Sequence, residues 1–491
     1  MIDVLARRRA GVLLHATSLP GRGSTGTLGA NAYRFVDFLN AGGFTVWQTL
    51  PLGPVDAYGS PYCLQSTQAG DPRLIDWDSL RRVPDLPRTF ARYGSAGTPA
   101  DIYREFATVA SRRERAAFVS FLRANRAWLW PYGLFRAYEV LFGGEPWWRW
   151  PADLRRAERP ALTRRWREVR DEFRGTCLLQ YLFDLEWTAL KRYANSHGVY
   201  LFGDLPFYVD LNSVEVWWNR RLFRVSDEGV ADGVAGVPPD YFNADGQRWG
   251  NPLYDWEAMR AQGFAWWVAR IAGQLKRFDV LRLDHFRALE SYWEIPATAQ
   301  TAREGWWRKG YGEEVLVRVR KELGALPLVA EDLGIITDEV RALRDRHGLP
   351  GMAVLQFGFD GAPDNPHLPQ NHTPRSVVYT GTHDNDTTVG WYTQLKPAAR
   401  EFVRTSLGAE SVDVPNTFLD SVYASRAALA VVPMQDLLGL DSSARMNTPG
   451  TTEGNWSWRL RWADIPAGLA EQCYERAARY ERAARYERLV S

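Results

Sequence analysis

Cysteine is scarce. Cys63, Cys177 and Cys473 are the three in 491 residues, and they stand far apart. A disulfide framework needs more of them, and a zinc site needs ligands at short spacing, so neither organises this chain. A reducing, cytoplasmic setting is expected. Long apolar runs are also lacking. None approaches the roughly 20 residues that span a bilayer. The run after Arg7, Arg8 and Arg9 is interrupted by His15 after four residues, which reads as a strand and not as the core of a signal peptide. Charge of one sign is absent too. Lys and Arg number 60 against 58 Asp and Glu, a net charge of +2, with both signs interleaved. That balance gives no basis for nucleic-acid or membrane-surface partners. No phosphate loop or dinucleotide glycine fingerprint is present, so no cofactor and no resident metal are expected.

What the chain does have is aromatic residues, with 22 Trp, 21 Tyr and 22 Phe, and recurrent apolar runs that end in polar groups. Eight such runs follow in order: 11–19 (GVLLHATSL), 45–51 (TVWQTLP), 199–207 (VYLFGDLPF), 278–286 (FDVLRLDHF), 326–333 (LPLVAEDL), 352–359 (MAVLQFGF), 376–384 (SVVYTGTHD) and 427–436 (AALAVVPMQD). Continuous apolar runs suit parallel strands covered on both faces. Helical periodicity lies between several of them, at 31–41, 263–277, 313–323 and 337–346. Length alone would suggest about three domains, but a barrel with insertions accommodates such a chain as one unit. Eight strands with helices between them predict an α/β fold, a (β/α)8 TIM barrel spanning 1–491. Two connections are long. The first, 52–198, is rich in Arg, Trp and Leu, with helical stretches at 112–129 and 177–197, and reads as a largely helical insertion. The second, 210–255, carries Gly, Pro and Asn with little periodicity and reads as a loop over the cleft. The repeat YERAARYERAARYER at 474–488 has a period of six and predicts a solvated terminal helix over 474–491.

Barrel catalysis is built where strands end. There the runs place Asp204, Asp284, Glu331 with Asp332, and His383 with Asp384. Strand residues two apart share a face, so Arg282 and Asp284 lie side by side, and the cation favours an ionised carboxylate. Such a pair also serves simply to fix a strand. Several carboxylates on one barrel face repel unless they hold a cation or perform a task. Arg282 competes with a cation. Glycosidic-bond chemistry, which needs two carboxylates flanking the bond, fits better. Asp284 then acts as nucleophile, and Glu331, leaving an apolar strand among other acids, has the raised pKa of a general acid. A hydrolase and a non-catalytic glucan-binding protein remain alternatives at this point.

The motifs RLDHF (282–286), AEDLG (330–334), YTGTHDNDTT (379–388), VAGVPPDYF (234–242) and GQRWGNPLY (246–254) resemble those of amylomaltases, the bacterial 4-α-glucanotransferases. So do LLHATSLPG (13–21), WQTLPLGP (47–54), GDLPFYV (203–209), ARMNTPG (444–450) and GNWSWRL (454–460). The resemblance covers nearly the whole chain in family order. It implies a retaining glucanotransferase acting on α-1,4-glucans, with Asp284 as nucleophile, Glu331 as acid/base and Asp384 as transition-state stabiliser. It implies sugar contacts from Arg282, His383, Asp204 and Trp249, with Tyr241, Phe242 and Gln247 near donor and acceptor. Tyr58, Ser60, Phe357 and Asn455 complete the expected substrate-binding set, and a monomer is expected. The segment DAYGSPYCLQSTQAGDP at 56–72 departs from the family's usual GYGDSPYQSFSAFAGNP. Cys63 stands in place of a glutamine, and Gln65 and Gln68 stand in place of phenylalanines.

Overall fold

A computed structural model describes residues 4–21, 23–56, 58–80, 97–239 and 244–483. Among them twelve strands form two sheets. They are β1 (Arg9–Leu13), β2 (Val46–Gln48), β3 (Tyr200–Leu205), β4 (Gly233–Val237), β5 (Gln247–Pro252), β6 (Val280–Leu283), β7 (Ser291–Pro296), β8 (Trp306–Lys309), β9 (Leu328–Ala330), β10 (Gly351–Val354), β11 (Ser376–Tyr379) and β12 (Leu429–Pro433). Eight run parallel in the order β10-β11-β12-β1-β2-β3-β6-β9. The gap between β9 and β10 is bridged where the Ala330 N–H donates to the Pro350 carbonyl at 2.8 Å. This is the expected (β/α)8 barrel, and each of the eight apolar runs supplies one of its strands.

Alternation along the strands divides the core in two. Val46, Phe202, Val280, Val329, Val377 and Val431 face inward and fill the barrel. Their neighbours Trp47, Leu201, Leu281, Leu328, Val378 and Val432 face outward and pack in the layer that holds the helices. Arg282 and Asp204 continue the inward rows of Val280 and Phe202 towards the strand ends, so the polar site is built directly on top of the apolar plug.

The insertion after β2 carries helices at Pro99–Val109, Arg112–Ala124, Arg126–Leu141 and Trp166–Ser196. The first two are started by capping boxes, Thr98 with Asp101 and Ser111 with Glu114. The helix expected over 112–129 is broken at Asn125, which ends one helix and starts the next. The 31-residue helix Trp166–Ser196 runs from this insertion back to β3. Gly175 lets it pass close to the start of helix Pro99–Val109, since a Cβ there would meet the Pro99 carbonyl.

Two expectations need correction. The 210–255 stretch is not an irregular loop: β4 and β5 lie within it and pair antiparallel. They join β7 and β8, two strands that the periodicity did not reveal, in a second sheet ordered β5-β4-β7-β8. The terminal repeat is not one solvated helix, because helix Leu469–Arg479 ends inside it and Glu481 takes a left-handed φ of 57°. Arg482 then turns inward and is fully buried. Residues 484–491 lie outside the described set. The three cysteines are free thiols, and no described helix is long and apolar enough to cross a membrane.

Candidate active site

Arg282 is the centre of the site. It is buried, and its guanidinium holds Asp204 (Nη1 to Oδ2, 2.8 Å) with one nitrogen and Asp284 (Nη2 to Oδ1, 2.8 Å) with another. Burial works against its charge, but the two carboxylates outweigh it and the Arg282 pKa is raised. Asp284 lies one residue beyond β6. His285 follows with φ 49° and ψ 46°, a left-handed conformation that is uncommon outside glycine. That turn aims the His285 N–H at Glu331 Oε2 (2.7 Å), while the Leu333 N–H donates to Oε1 (2.9 Å). Glu331, one residue beyond β9, is thus fixed through both oxygens beside the Asp284 backbone.

The acids do not titrate independently. Burial pushes Glu331 up, and Arg282 and the two N–H donors pull it only part of the way back. Asp284 is also raised. Burial is the largest cause, Arg282 opposes it, and Asp204, Glu331 and Asp384 add to it. Arg282 favours the ionised form of Asp284, as expected from their spacing, but burial and the neighbouring acids outweigh it. One guanidinium serves two acids directly in a buried site that holds further acids. The cluster retains a proton at pH values where isolated carboxylates have lost theirs.

Two further elements complete the site. His383 and Asp384 follow β11. Asp384 accepts from Asn447 Nδ2 (2.6 Å), and Arg445 donates to the Asp384 carbonyl (2.7 Å). His383 Nε2 lies 3.5 Å from Asp384 Oδ2 and 2.9 Å from the Tyr62 hydroxyl. Burial lowers the His383 pKa, with Asp384 opposing. Tyr62 also donates to Asp204 Oδ2 (2.8 Å), so one hydroxyl links the β3 and β11 ends across the barrel mouth. Its ring stacks on His383 at 5.3 Å, with Trp456 beside both. On the opposite side Trp249 meets the His285 ring edge to face at 4.8 Å and donates to Gln247 Oε1 at 3.1 Å. Trp249 is 39% exposed, so its indole offers an apolar surface beside the acids.

The remaining expected residues divide. Ser60 caps the turn before Tyr62, its hydroxyl accepting the Tyr62 N–H at 3.3 Å. Tyr58 projects outward, 70% exposed, and Phe357 is 38% exposed beyond β10. Asn455 accepts the Thr448 N–H at 2.9 Å and so braces the turn that carries Asn447. Tyr241 and Phe242 lie outside the described residues. Gln65 and Gln68 face away from the acids, hydrogen-bonding Glu139 (2.9 Å) and the Ala269 carbonyl (3.1 Å). Sequence reasoning missed Tyr62, Asn447 and Trp456. Each sits within a quoted motif, but each earns its place only through a partner far along the chain, 63 residues away for Asn447 and 321 for Tyr62 with His383. Among the described residues no group of three or more His, Cys, Asp or Glu side chains is arranged to hold a metal ion.

The model of one protein family, described as 4-alpha-glucanotransferase, matches residues 14–464. The chain belongs to the 4-alpha-glucanotransferase family. A 4-alpha-glucanotransferase of Thermus thermophilus is 45% identical over 473 residues, covering 92% of this chain and 95% of that protein. One from Synechocystis is 42% identical over 93% of this chain and 94% of its own. Among solved structures, the amylomaltase from Streptococcus agalactiae in complex with acarbose superposes with a TM-score of 0.90 at 33% identity, covering 97% of this chain and 100% of that one. The amylomaltase of Corynebacterium glutamicum, at 18% identity and a TM-score of 0.72, shares the fold.

Proposed function

We propose that this glucanotransferase moves α-1,4-glucan segments to the 4-hydroxyl of an acceptor glucan or glucose by double displacement, with retention of configuration. Asp284 attacks the anomeric carbon while Glu331 gives its proton to the departing glycosidic oxygen. The C–O bond to the leaving glucan breaks and an ester to Asp284 forms. Glu331, now a carboxylate, takes the proton of the acceptor 4-hydroxyl as that oxygen displaces Asp284. Asp384 holds sugar hydroxyls, positioned by Asn447, and interactions that tighten at the transition state lower the barrier. An acceptor held against the exposed indole of Trp249 competes with water through its high effective concentration. Arg282, Asp204 and His383 contact sugar or orient those that do. A monomer in a reducing compartment is the setting we infer.

The observation that carries this reading is the bracing of two neighbouring carboxyls by different means: Asp284 by the Arg282 guanidinium and Glu331 by two backbone N–H groups. The test is maltotriose as sole substrate, with products resolved by length. A ladder of longer maltooligosaccharides plus glucose is expected. Glucose and maltose without elongation would mean hydrolysis instead. Glu331→Gln is expected to lower the rate by about 10²–10⁴-fold. Asp284→Asn is expected to lose at least as much, and near-normal turnover by it would sink the scheme.

A further inference from the structure

The second sheet has two faces with different surroundings. Cross-strand pairs run Gly236–Trp293–Trp307 along one row and Ala235–Glu294–Trp306 along the next. Opposed residues share a face and neighbours in sequence do not. The face with Trp293 and Trp307 carries its own small apolar cluster, Val234 and Ile295 with Ala299 and Ala302. Arg287 lies over the Trp307 ring at 3.7 Å. Trp307 is 39% exposed as well, but Arg287 covers one side of its ring and Trp293 meets it edge to face at 5.0 Å.

The other face is the one that meets the active site. Val237 pairs with Gln247, which puts Gln247 on the same side as Ala235, Glu294 and Trp306. Trp249, two residues on, hydrogen-bonds Gln247 and joins it there. The face therefore begins at Trp249, against His285, and ends at Trp306 on the far edge strand. Three strand spacings of about 4.8 Å separate the edges, roughly 14 Å. Trp306 is 39% exposed, as Trp249 is. It is also held in place. Arg308 lies under its ring at 5.2 Å and is itself fixed by the buried carboxylate of Glu294 (2.9 Å), which Arg224 grips from the other side (2.9 Å). An exposed indole on an anchored guanidinium is a rigid apolar platform with hydrogen-bond donors beside it, the chemistry that stacks a sugar ring and binds its hydroxyls.

We infer that Trp306, with Arg308, forms a remote subsite for the part of a long α-1,4-glucan that leaves the cleft past Trp249. It makes the enzyme favour long chains. The inference rests on the glucan-transfer reading and goes beyond the catalytic centre.

The experiment compares maltotriose with long-chain amylose as donors, glucose being the acceptor, for the wild type, Trp306→Ala, Trp306→Phe and Trp307→Ala. Trp306→Ala is expected to raise KM for amylose about three- to ten-fold and to leave maltotriose kinetics and Tm unchanged. Trp306→Phe, which keeps an aromatic face, is expected to recover most of the loss. Trp307→Ala, on the opposite face, is expected to leave the amylose-to-maltotriose ratio as it was. An unchanged ratio in Trp306→Ala, or an equal loss on both donors, overturns the subsite. Direct binding of amylose to the Asp284→Asn background, with and without the Trp306 change, gives the same answer if turnover is altered for other reasons. A wild type that fails to elongate maltotriose would instead overturn the transfer reading itself.

Discussion

The left-handed residue His285 shows how much of this chemistry depends on backbone direction. Its N–H donates to Glu331 within a turn whose φ is positive, a conformation that Gly and Asn adopt readily and β-branched residues resist. The bond favours the ionised form of Glu331. His285→Val, which resists this turn, is therefore expected to raise the Glu331 pKa further and move the alkaline limb of kcat/KM to higher pH. His285→Gly and His285→Asn are expected to keep the limb in place while losing the ring beneath Trp249. A pH–rate profile of the three variants decides this, and an unmoved limb in His285→Val would refute the role. The acids themselves were legible in sequence because they end apolar runs. Their titration was not. The pull of Arg282 on Asp284 can be read from a two-residue spacing, whereas the burial, Asp204, Glu331 and Asp384 that outweigh it come from four strand ends that only the barrel brings together. Tyr62 escaped for the same reason: nothing near it in the chain announces that its hydroxyl touches Asp204 and His383.

Among the elements, the eight barrel strands were readable because burial on both faces demands unbroken apolar residues. The second sheet was not. β4 and β5 contain Gly, Pro and Asn, and β8 reads WWRK with all four residues exposed, so neither alternation nor an apolar run marks them. Their pairing is set by neighbours from opposite sides of β6. The long helix Trp166–Ser196 carries a further hidden property. Burial raises Glu186 on it to about 9, although the Asp76 N–H donates to it. A carboxyl whose folded pKa lies above its unfolded value near 4.5 stabilises the fold fully below that value. The contribution is lost as pH rises through the window up to about 9. Glu186→Gln lacks this slope. Its stability relative to the wild type is expected to be higher at pH 8 than at pH 5, measured by chemical denaturation at both; a difference independent of pH would contradict it.

At the scale of the whole molecule, the barrel is fastened from beneath. Arg482 donates to the carbonyls of Tyr423 (2.7 Å), Ser425 (2.8 Å) and Arg9 (3.1 Å), and Arg8 donates to Tyr423 (2.8 Å) and Ser425 (2.9 Å) as well. The end of helix Asn416–Ala424 is thus capped by cations from both extremities of the described chain. The period of six in the repeat gave no hint of this, because the helix stops after Arg479 and the next turn points inward. Arg482→Ala is expected to cost about 1.5–3 kcal/mol, a hydrogen-bonded charge being lost from a buried site. A thermal melt reads the effect. The activity on maltotriose below the melt should not change, since none of these carbonyls lies near the acids.

The two-handed grip of Arg282 has a consequence for the order of events. While Asp284 carries its charge, it repels a second charge on Glu331 and helps keep a proton there for the leaving oxygen. In the double displacement proposed above, esterification of Asp284 removes that repulsion and leaves Arg282 facing Asp204 with one rival fewer. Glu331 becomes the stronger acid at the moment it must serve as a base. The site thus resets its own acidity midway through the cycle, with the covalent bond as the switch, and returns to the starting state when the acceptor takes the sugar away.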